Sequence, residues 1–309
     1  MSETAGRKVL LVVHVARDEA TKLATAFAAD LRAEGLEVCV LDSEEAQLRA
    51  AGLDGGHPVP AGPAAAAGCE LAVVFGGDGT ILRAAEMCRN TPTPVLGVNL
   101  GHVGFLAEAD AEDIHDVVRG VVDRSYTVEE RLTVDVSVSV GGEVVATNWA
   151  LNEASVEKAA RERMLELVVE IDNRPVSRWG CDGIVCATPT GSTAYNFSAG
   201  GPIVWPEVSA LLLVPISAHA LFARPLVVSP DSTLAIEVVG DRSTGVLWCD
   251  GRRAADLPLG ARVEVRRGQE PVRLARLKQA SFADRLVRKF DLPVAGWRGA
   301  AERRQQGDG

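Results

Sequence analysis

Two hydrophobic periods divide the chain. In the first part, short apolar runs alternate with stretches of helical spacing. Lys8 to Val15 is apolar and rich in β-branched residues, which predicts a buried strand. Ala20, Leu23, Ala24, Phe27, Ala28 and Leu31 then recur at helical spacing, with Asp18 placed to cap the helix and Gly35 to end it. Glu37 to Leu41 predicts a second strand, and the β-α-β opening predicts a parallel sheet. Ala51 to Gly68, rich in Ala, Gly and Pro and without a period, reads as a mobile loop. Leu71 to Phe75 is a third buried strand that runs into a glycine-rich turn, and Thr80 to Arg89 reads as a helix. Thr91-Pro92-Thr93-Pro94 breaks the chain before the strand Val95 to Asn99.

Near Val122 the alternation stops and a period of two takes over. Leu132, Val134, Val136, Val138 and Val140 alternate with other residues, and Gly141-Gly142 makes a hairpin turn before Val144-Val145. Leu165 to Ile171, Gly183 to Ala187, Leu234 to Val239, Val246 to Cys249 and Arg262 to Val265 extend the pattern. They predict an all-β, sandwich-like domain. Ser281 to Phe290 predicts a last helix with Phe282, Leu286 and Val287 on one face, and the polar stretch Gly299 to Gly309 is expected to fray. The expected architecture is an α/β domain over 1–122 with a Rossmann-like parallel sheet, and an all-β domain over 123–278. A C-terminal helix and tail over 279–309 would pack back on the first domain.

Composition narrows the chemistry. The 309 residues are 47% hydrophobic, enough for a sizeable core without disulfides or a structural metal. A formal charge of −10 argues against nucleic acid or an anionic membrane as partner. It also means that a phosphate substrate would need local Arg, backbone N–H groups or a metal ion. Cys39, Cys69, Cys88, Cys181, Cys186 and Cys249 form no C-x-x-C pair and no zinc spacing, so reduced thiols in a cytosol are expected. The run Val9 to Val15 is too short for a signal peptide, and no apolar run is long enough to span a bilayer.

Three constellations carry candidate chemistry. Gly76-Gly77-Asp78-Gly79-Thr80 sits between a buried strand and a helix. As a plain tight turn it needs only residues that tolerate positive φ. At the carboxyl edge of a parallel sheet, however, such a turn is where α/β proteins bind ligands, with backbone N–H groups and a helix N-terminus facing an anion. Asp78 then makes sense as a metal ligand or as the acceptor of a proton from an attacking hydroxyl. No Lys follows the last glycine, so the loop is not a Walker A motif. Arg83, one turn into the helix, is either local positive charge or a solvated helix residue. The second constellation runs from Asp182-Gly183 through Thr188-Pro189-Thr190-Gly191-Ser192-Thr193-Ala194-Tyr195 to Gly200-Gly201-Pro202. Its hydroxyls and turn N–H groups suit sugar and phosphate, and Tyr195 suits stacking on a base. The third is Asn152-Glu153, an amide and a carboxylate suited to a ribose diol and an adenine edge, or a capped turn if taken alone.

Taken together, and with Gly97-Val98-Asn99, Gly101-His102-Val103-Gly104-Phe105 and Asp250-Gly251 in the same order, these motifs resemble the NAD kinase family over nearly the whole chain, actinobacterial members above all. The Gly-Gly-Asp-Gly loop alone is shared with diacylglycerol-type lipid kinases and phosphofructokinases, whereas the Thr188 to Tyr195 run is far more selective. The resemblance implies transfer of the γ-phosphoryl of ATP, or of a phosphoryl from inorganic polyphosphate, to the 2′-hydroxyl of the adenosine ribose of NAD, giving NADP. It implies Mg²⁺ or another divalent ion as cofactor, NAD in the cleft between the two domains, and a homodimer or homotetramer. Asp78 would be the proton acceptor, with Gly76, Gly77, Gly79 and Thr80 on the phosphates. Gly79, Arg83, Phe105, Asn152, Glu153 and Arg163 would contact NAD, and Thr193, Ala194, Tyr195, Asn196, Phe197 and Ser198 would line its site. Asp182 would reach dinucleotide bound mainly by a neighbouring subunit.

Two other readings share part of the pattern. A lipid kinase could use the same loop, but it would want an apolar or basic membrane-facing surface. A non-catalytic NAD- or NADP-binding sensor would have no use for Asp78. His219 reads as structural, and Asp250 as a turn residue rather than a metal ligand.

Overall fold

The computed structural model describes residues 6–100, 104–107, 109–110, 114–160, 164–240, 244–277 and 281–294. The chain forms two compact units: 1–129 with 273–309, and 130–272.

Unit 1 is built on a mostly parallel eight-stranded sheet. Its elements are β1 (Lys8–Val13), α1 (Asp18–Ala33), β2 (Glu37–Leu41), α2 (Asp42–Ala50), β3 (His57–Val59), β4 (Leu71–Phe75), α3 (Asp78–Cys88), β5 (Val95–Asn99), β6 (Ala109–Asp110), α4 (Ile114–Val122) and β7 (Thr127–Arg131). β1 pairs in parallel with both β2 and β4, and β4 with β5, so the order places the C-terminal ends of β1, β4 and β5 side by side. Both faces are covered, which is why β1 and β4 read as continuous apolar runs rather than alternating ones. On one face Phe27 of α1 lies edge-to-face on Phe75 at 5.3 Å between ring centroids, and both rings are fully buried.

Unit 2 holds β8 (Val134–Val140), β9 (Glu143–Ala150), β10 (Glu153–Lys158), β11 (Leu165–Ile171), β12 (Arg174–Cys181), β13 (Gly183–Ala187), α5 (Tyr195–Ser198), β14 (Leu211–Ile216), β15 (Leu226–Val228), β16 (Leu234–Val239), β17 (Gly245–Cys249), β18 (Arg253–Leu257) and β19 (Arg262–Arg267). They make two six-stranded antiparallel sheets, ordered β15-β14-β13-β10-β17-β18 and β12-β11-β16-β19-β8-β9. Inward residues of both sheets share one core: Val134, Val136 and Val138 from one, Ile184, Cys186 and Leu247 from the other, around a fully buried Trp179. The chain then returns to unit 1 through β20 (Val272–Arg276) and α6 (Phe282–Phe290). Ser281 caps α6 by accepting the Ala283 N–H at 3.2 Å.

Local details differ from the sequence pattern for physical reasons. Asp18 is not a cap: it is the first helical residue, and its carbonyl accepts the Thr21 hydroxyl at 2.9 Å. The expected loop 51–68 contains the edge strand β3, where Pro58 is tolerated because an edge strand need pair on one side only. Its end is held by Thr93, whose hydroxyl lies 3.1 Å from the Ala66 carbonyl and 2.8 Å from that of Cys69. α2 escapes a hydrophobic-period reading because it buries only Glu44 and Leu48. The stretch Gly299 to Gly309 lies outside the described residues. All six cysteines are free and buried, and burial pushes the Cys186 thiol up to about 12.

Phe27→Ala should destabilise the protein by about 3–5 kcal/mol, because it empties a fully buried ring site against Phe75. Urea unfolding measures this; a loss below about 1 kcal/mol would mean the site collapses freely.

Candidate active site

In unit 1 the glycine-rich loop leaves β4 at the carboxyl edge of the sheet. Phe75 accepts the His14 N–H at 2.9 Å, and the Gly76 N–H donates to Val98 at 3.3 Å, so the loop starts between the ends of β1 and β5. Gly76 must be glycine: a Cβ there would stand 2.5 Å from the Thr80 hydroxyl oxygen. Gly77 is the N-cap of α3 without a side-chain cap, and Asp78, Gly79 and Thr80 form the first turn. A helix start offers backbone N–H groups and the positive end of the dipole to an anion.

The Asp78 carboxylate is tied across this turn. Its Oδ2 accepts the Phe105 N–H at 3.1 Å and its Oδ1 the Leu106 N–H at 3.2 Å. Gly104 makes room for it, since a Cβ there would sit 2.4 Å from Oδ1. The Phe105 ring is 9% exposed and packs between Phe282 and Phe290 of α6, at 5.9 and 5.8 Å between centroids. Arg285 of the same helix donates to the Phe105 carbonyl at 3.1 Å. Arg83 is partly exposed but tied down. It pairs with Glu44 of α2 and donates to the Val13 carbonyl at 2.8 Å, while Glu44 accepts the Val13 N–H at 2.8 Å. Burial pushes the Glu44 carboxyl above the usual range, against the opposing pull of Arg83 and Val13.

In unit 2, Asn152 and Glu153 stand at the entry to β10, and both are buried. Thr188 clamps them from β13: its hydroxyl donates to the Leu151 carbonyl at 2.6 Å and its N–H to that of Asn152 at 2.9 Å. Gly191, in the 3-10 turn Thr190–Thr193, packs so tightly on Asn152 that a Cβ would lie 2.0 Å from the Asn152 carbonyl oxygen. The turn therefore rests on the Asn152-Glu153 backbone and delivers Tyr195, whose N–H donates to Glu153 Oε2 at 3.3 Å. Burial, and then the Asp250 charge, pushes the Glu153 carboxyl up to about 8. Burial also raises the Tyr195 hydroxyl, followed by the charge of Glu157, to which it is hydrogen-bonded.

The other expected residues are placed as follows. Thr193 and Ala194 are half-buried beside Tyr195, and Phe197 and Ser198 are exposed on α5. Asn196 is fully buried, and its amide donates to the Ser192 and Pro202 carbonyls at 3.1 and 3.0 Å, which makes it a strut beneath the turn. Asp182 pairs with Lys158 at 2.5 Å on the surface. Arg163, like Gly101, His102 and Val103, lies outside the described residues. His219 is held by its backbone, donating to the Gly180 carbonyl at 2.9 Å. Asp250 is a turn residue, with φ of 53°, but its carboxylate also binds the amides of Leu151 and Asn152 at 3.0 and 2.7 Å. A buried Asp before Gly at a strand end was the one available signal for that role.

A carboxylate seated in a glycine-rich strand-to-helix turn at the carboxyl edge of a parallel sheet belongs to the class of α/β sites that handle anionic ligands. The family profile described as "ATP-NAD kinase N-terminal domain" matches residues 9–126, and that described as "ATP-NAD kinase C-terminal domain" matches residues 151–277. NAD kinase 2 of Streptomyces avermitilis is 60% identical over 308 residues, covering 97% of this chain and 99% of its own length. NAD kinase of Thermobifida fusca is 58% identical over 311 residues, covering 99% and 95%. Among solved structures, yeast NADH kinase complexed with NADH superposes with a TM-score of 0.85 at 23% identity, covering 95% of this chain and 89% of that one. An NAD kinase from Archaeoglobus fulgidus in complex with ATP gives 0.69 at 24% identity, covering 92% and 98%. Those two likenesses carry the fold. The chain belongs to the NAD kinase family. Neither the lipid-kinase nor the sensor alternative finds support in these relatives.

Folded Glu153 keeps its proton up to about pH 8, whereas an unfolded chain releases it in the ordinary carboxylate range. Between those limits the unfolded state binds fewer protons, so this group's contribution to stability falls as pH rises. Glu153→Gln removes the dependence. The wild-type melting temperature should therefore drop relative to the variant from pH 5 to pH 8; a difference independent of pH would count against a neutral Glu153.

Proposed function

We propose that the protein is an NAD kinase that transfers the γ-phosphoryl of ATP to the 2′-hydroxyl of the adenosine ribose of NAD. The observation that carries the reading is the Asp78 carboxylate, fixed at the first turn of α3 in a chain of this family. In the reaction the ribose oxygen forms a bond to the γ-phosphorus, the bond from that phosphorus to the β-bridging oxygen breaks, and the hydroxyl proton passes to Asp78. A carboxylate offers about four acceptor positions, and the Phe105 and Leu106 amides take two. The remaining positions would take the substrate hydroxyl, and the two amide bonds keep the group from swinging away.

The other roles follow from chemistry. Gly76, Gly77, Gly79 and Thr80 supply backbone N–H groups and a hydroxyl to phosphate oxygens. Arg83 carries five N–H donors, of which Glu44 and Val13 engage two, so further donors serve the dinucleotide phosphates. Asn152 and Glu153 hold the adenosine, and Thr193, Ala194, Tyr195 and Ser198 line its surroundings. Inorganic polyphosphate remains within the proposal as a second donor. Mg²⁺ in phosphoryl transfer is held largely by phosphate oxygens, water and one or two carboxylates. Among the described residues no group of three or more His, Cys, Asp or Glu forms a metal cage, and the lone Asp78 fits that lean donor set. When bound, the ion offsets phosphate charge. The same reading places the protein in the cytoplasm, with its substrates.

Self-association belongs to the proposal. Leu221, Phe222 and Val227 expose apolar surface at and before β15, the edge strand of its sheet. Exposed apolar groups beside an unpaired edge suit a second copy of the chain.

Asp78→Asn should lower turnover by about 10²–10⁴-fold, while NAD still binds within a few-fold of wild type. NADP formation, measured with ATP and with polyphosphate in parallel, tests this; wild-type turnover by the variant would refute the assignment. Val227→Glu should shift the particle toward the monomer in light scattering, and an unchanged mass would remove β15 from the contact.

A further inference from the structure

Asp250 carries a buried charge for which the assigned roles give no use. It follows β17, is 7% exposed and lies beneath the adenosine-binding pair. Its Oδ2 accepts the Leu151 N–H at 3.0 Å, and its Oδ1 accepts the Asn152 N–H at 2.7 Å and the Glu153 N–H at 3.4 Å. Its own N–H donates to the Glu153 carbonyl at 2.9 Å. Arg253, at the start of β18, closes the charge at 3.0 Å. The guanidinium is itself fixed by Asn148 Oδ1 at 2.8 Å and the Trp149 carbonyl at 2.7 Å, and lies 4.7 Å above the Trp149 ring.

An isolated carboxylate in such a place would be costly; one held by amides and a guanidinium is stabilised and fixes the groups that bind it. We propose that Asp250 is a positioning residue for adenosine recognition, holding the Leu151–Glu153 backbone so that Asn152 and Glu153 meet the dinucleotide in one orientation. The inference rests on the assignment of Asn152 and Glu153 to the adenosine. Thr188 and Gly191 grip the carbonyl side of the same segment, so Asp250 supplies the grip on its N–H side.

Electrostatics adds a second effect of the same residue. Glu153 faces Asp250 from the β17 turn, Glu157 on its own strand and the Tyr195 N–H, while the Arg253 charge is directed at Asp250. Burial raises the Asp250 carboxyl too, but three amides and a guanidinium oppose it, whereas Glu153 has one long N–H bond, so the proton is favoured on Glu153. The pair Asn152-Glu153 then offers a carboxylic O–H donor as well as acceptors, which suits a ribose diol or an adenine edge.

The test compares Asp250→Asn and Arg253→Gln with Asn152→Ala and Glu153→Gln. For each, calorimetry measures NAD binding and steady-state kinetics gives the KM for NAD and for ATP across pH 5.5–9. Asp250→Asn keeps the shape but turns an NH₂ group toward amide donors, and is expected to raise the NAD KM about tenfold with the ATP KM within about twofold. The inflection in its NAD KM should move below pH 8, because burial still raises Glu153 but the added push of the Asp250 charge is gone. Arg253→Gln should raise the NAD KM by a few-fold in the same selective way, which keeps the test decisive if Asp250→Asn does not fold. Equal losses for NAD and ATP, or no change in either variant, overturn the inference. If Asn152→Ala and Glu153→Gln leave NAD binding intact, the adenosine assignment itself falls; if they weaken it and both Asp250→Asn and Arg253→Gln do not, only the role of Asp250 falls.

Discussion

The Asp250 carboxylate on the amides of Leu151 and Asn152 illustrates the constraint on which the site's structure depends. Turns that carry chemistry leave backbone N–H groups facing inward, and each buried one must find an acceptor. This protein repeatedly supplies a carboxylate from a distant segment. Asp78 takes the amides of Phe105 and Leu106, and Glu44 takes the amide of Val13. Each bond satisfies the turn and at the same time fixes an ionisable group where binding or proton transfer is expected. A charged acceptor is stronger than a neutral one, so these few bonds hold backbone N–H groups at strand ends and in turns.

The same economy answers the question raised by the acidic composition. A chain of net charge −10 that handles phosphates must concentrate positive potential locally. Unit 1 offers two local sources of it, the N-terminus of α3 at the sheet's carboxyl edge and Arg83 held beside the end of β1. The Glu44 pairing limits how far the Arg83 charge acts. Unit 2 has the reverse local character around Glu153, where Asp250, Glu157 and burial favour a neutral acid. The two units thus bring different tools: N–H groups suited to phosphate in one, and a mixed donor-acceptor pair suited to a nucleoside in the other.

Much of this was legible in the residue pattern. The β-α-β opening, the change of period near Val122 and the returning helix were readable because burial of one face or both faces dictates period. β3 and α2 were not, because an edge strand containing Pro58 and a helix burying only Glu44 and Leu48 leave too small an apolar imprint. At the site, the glycines were visible but their reasons were not. Gly76 answers to Thr80, Gly104 to Asp78, Gly191 to Asn152 and Gly201 to Asn196. Asn196 reads from the sequence as lining the dinucleotide site, and the structure adds that its amide braces the turn beneath Ser192 and Pro202.

By itself the sequence determined the fold class, the order of the motifs and the family, since these follow from periodicity and from residue types at fixed spacing. Only the tertiary structure decided which polar groups are partnered and which residue holds which. That Arg83 is turned to Glu44, that Phe105 is clamped by α6, and that Asp250 grips the Asn152-Glu153 backbone are contacts between residues far apart in the chain. Spacing fixes what lies on one face of one element. It says nothing about which carboxylate, a hundred residues on, will satisfy a buried amide, because that depends on how the sheets stack and where their turns meet.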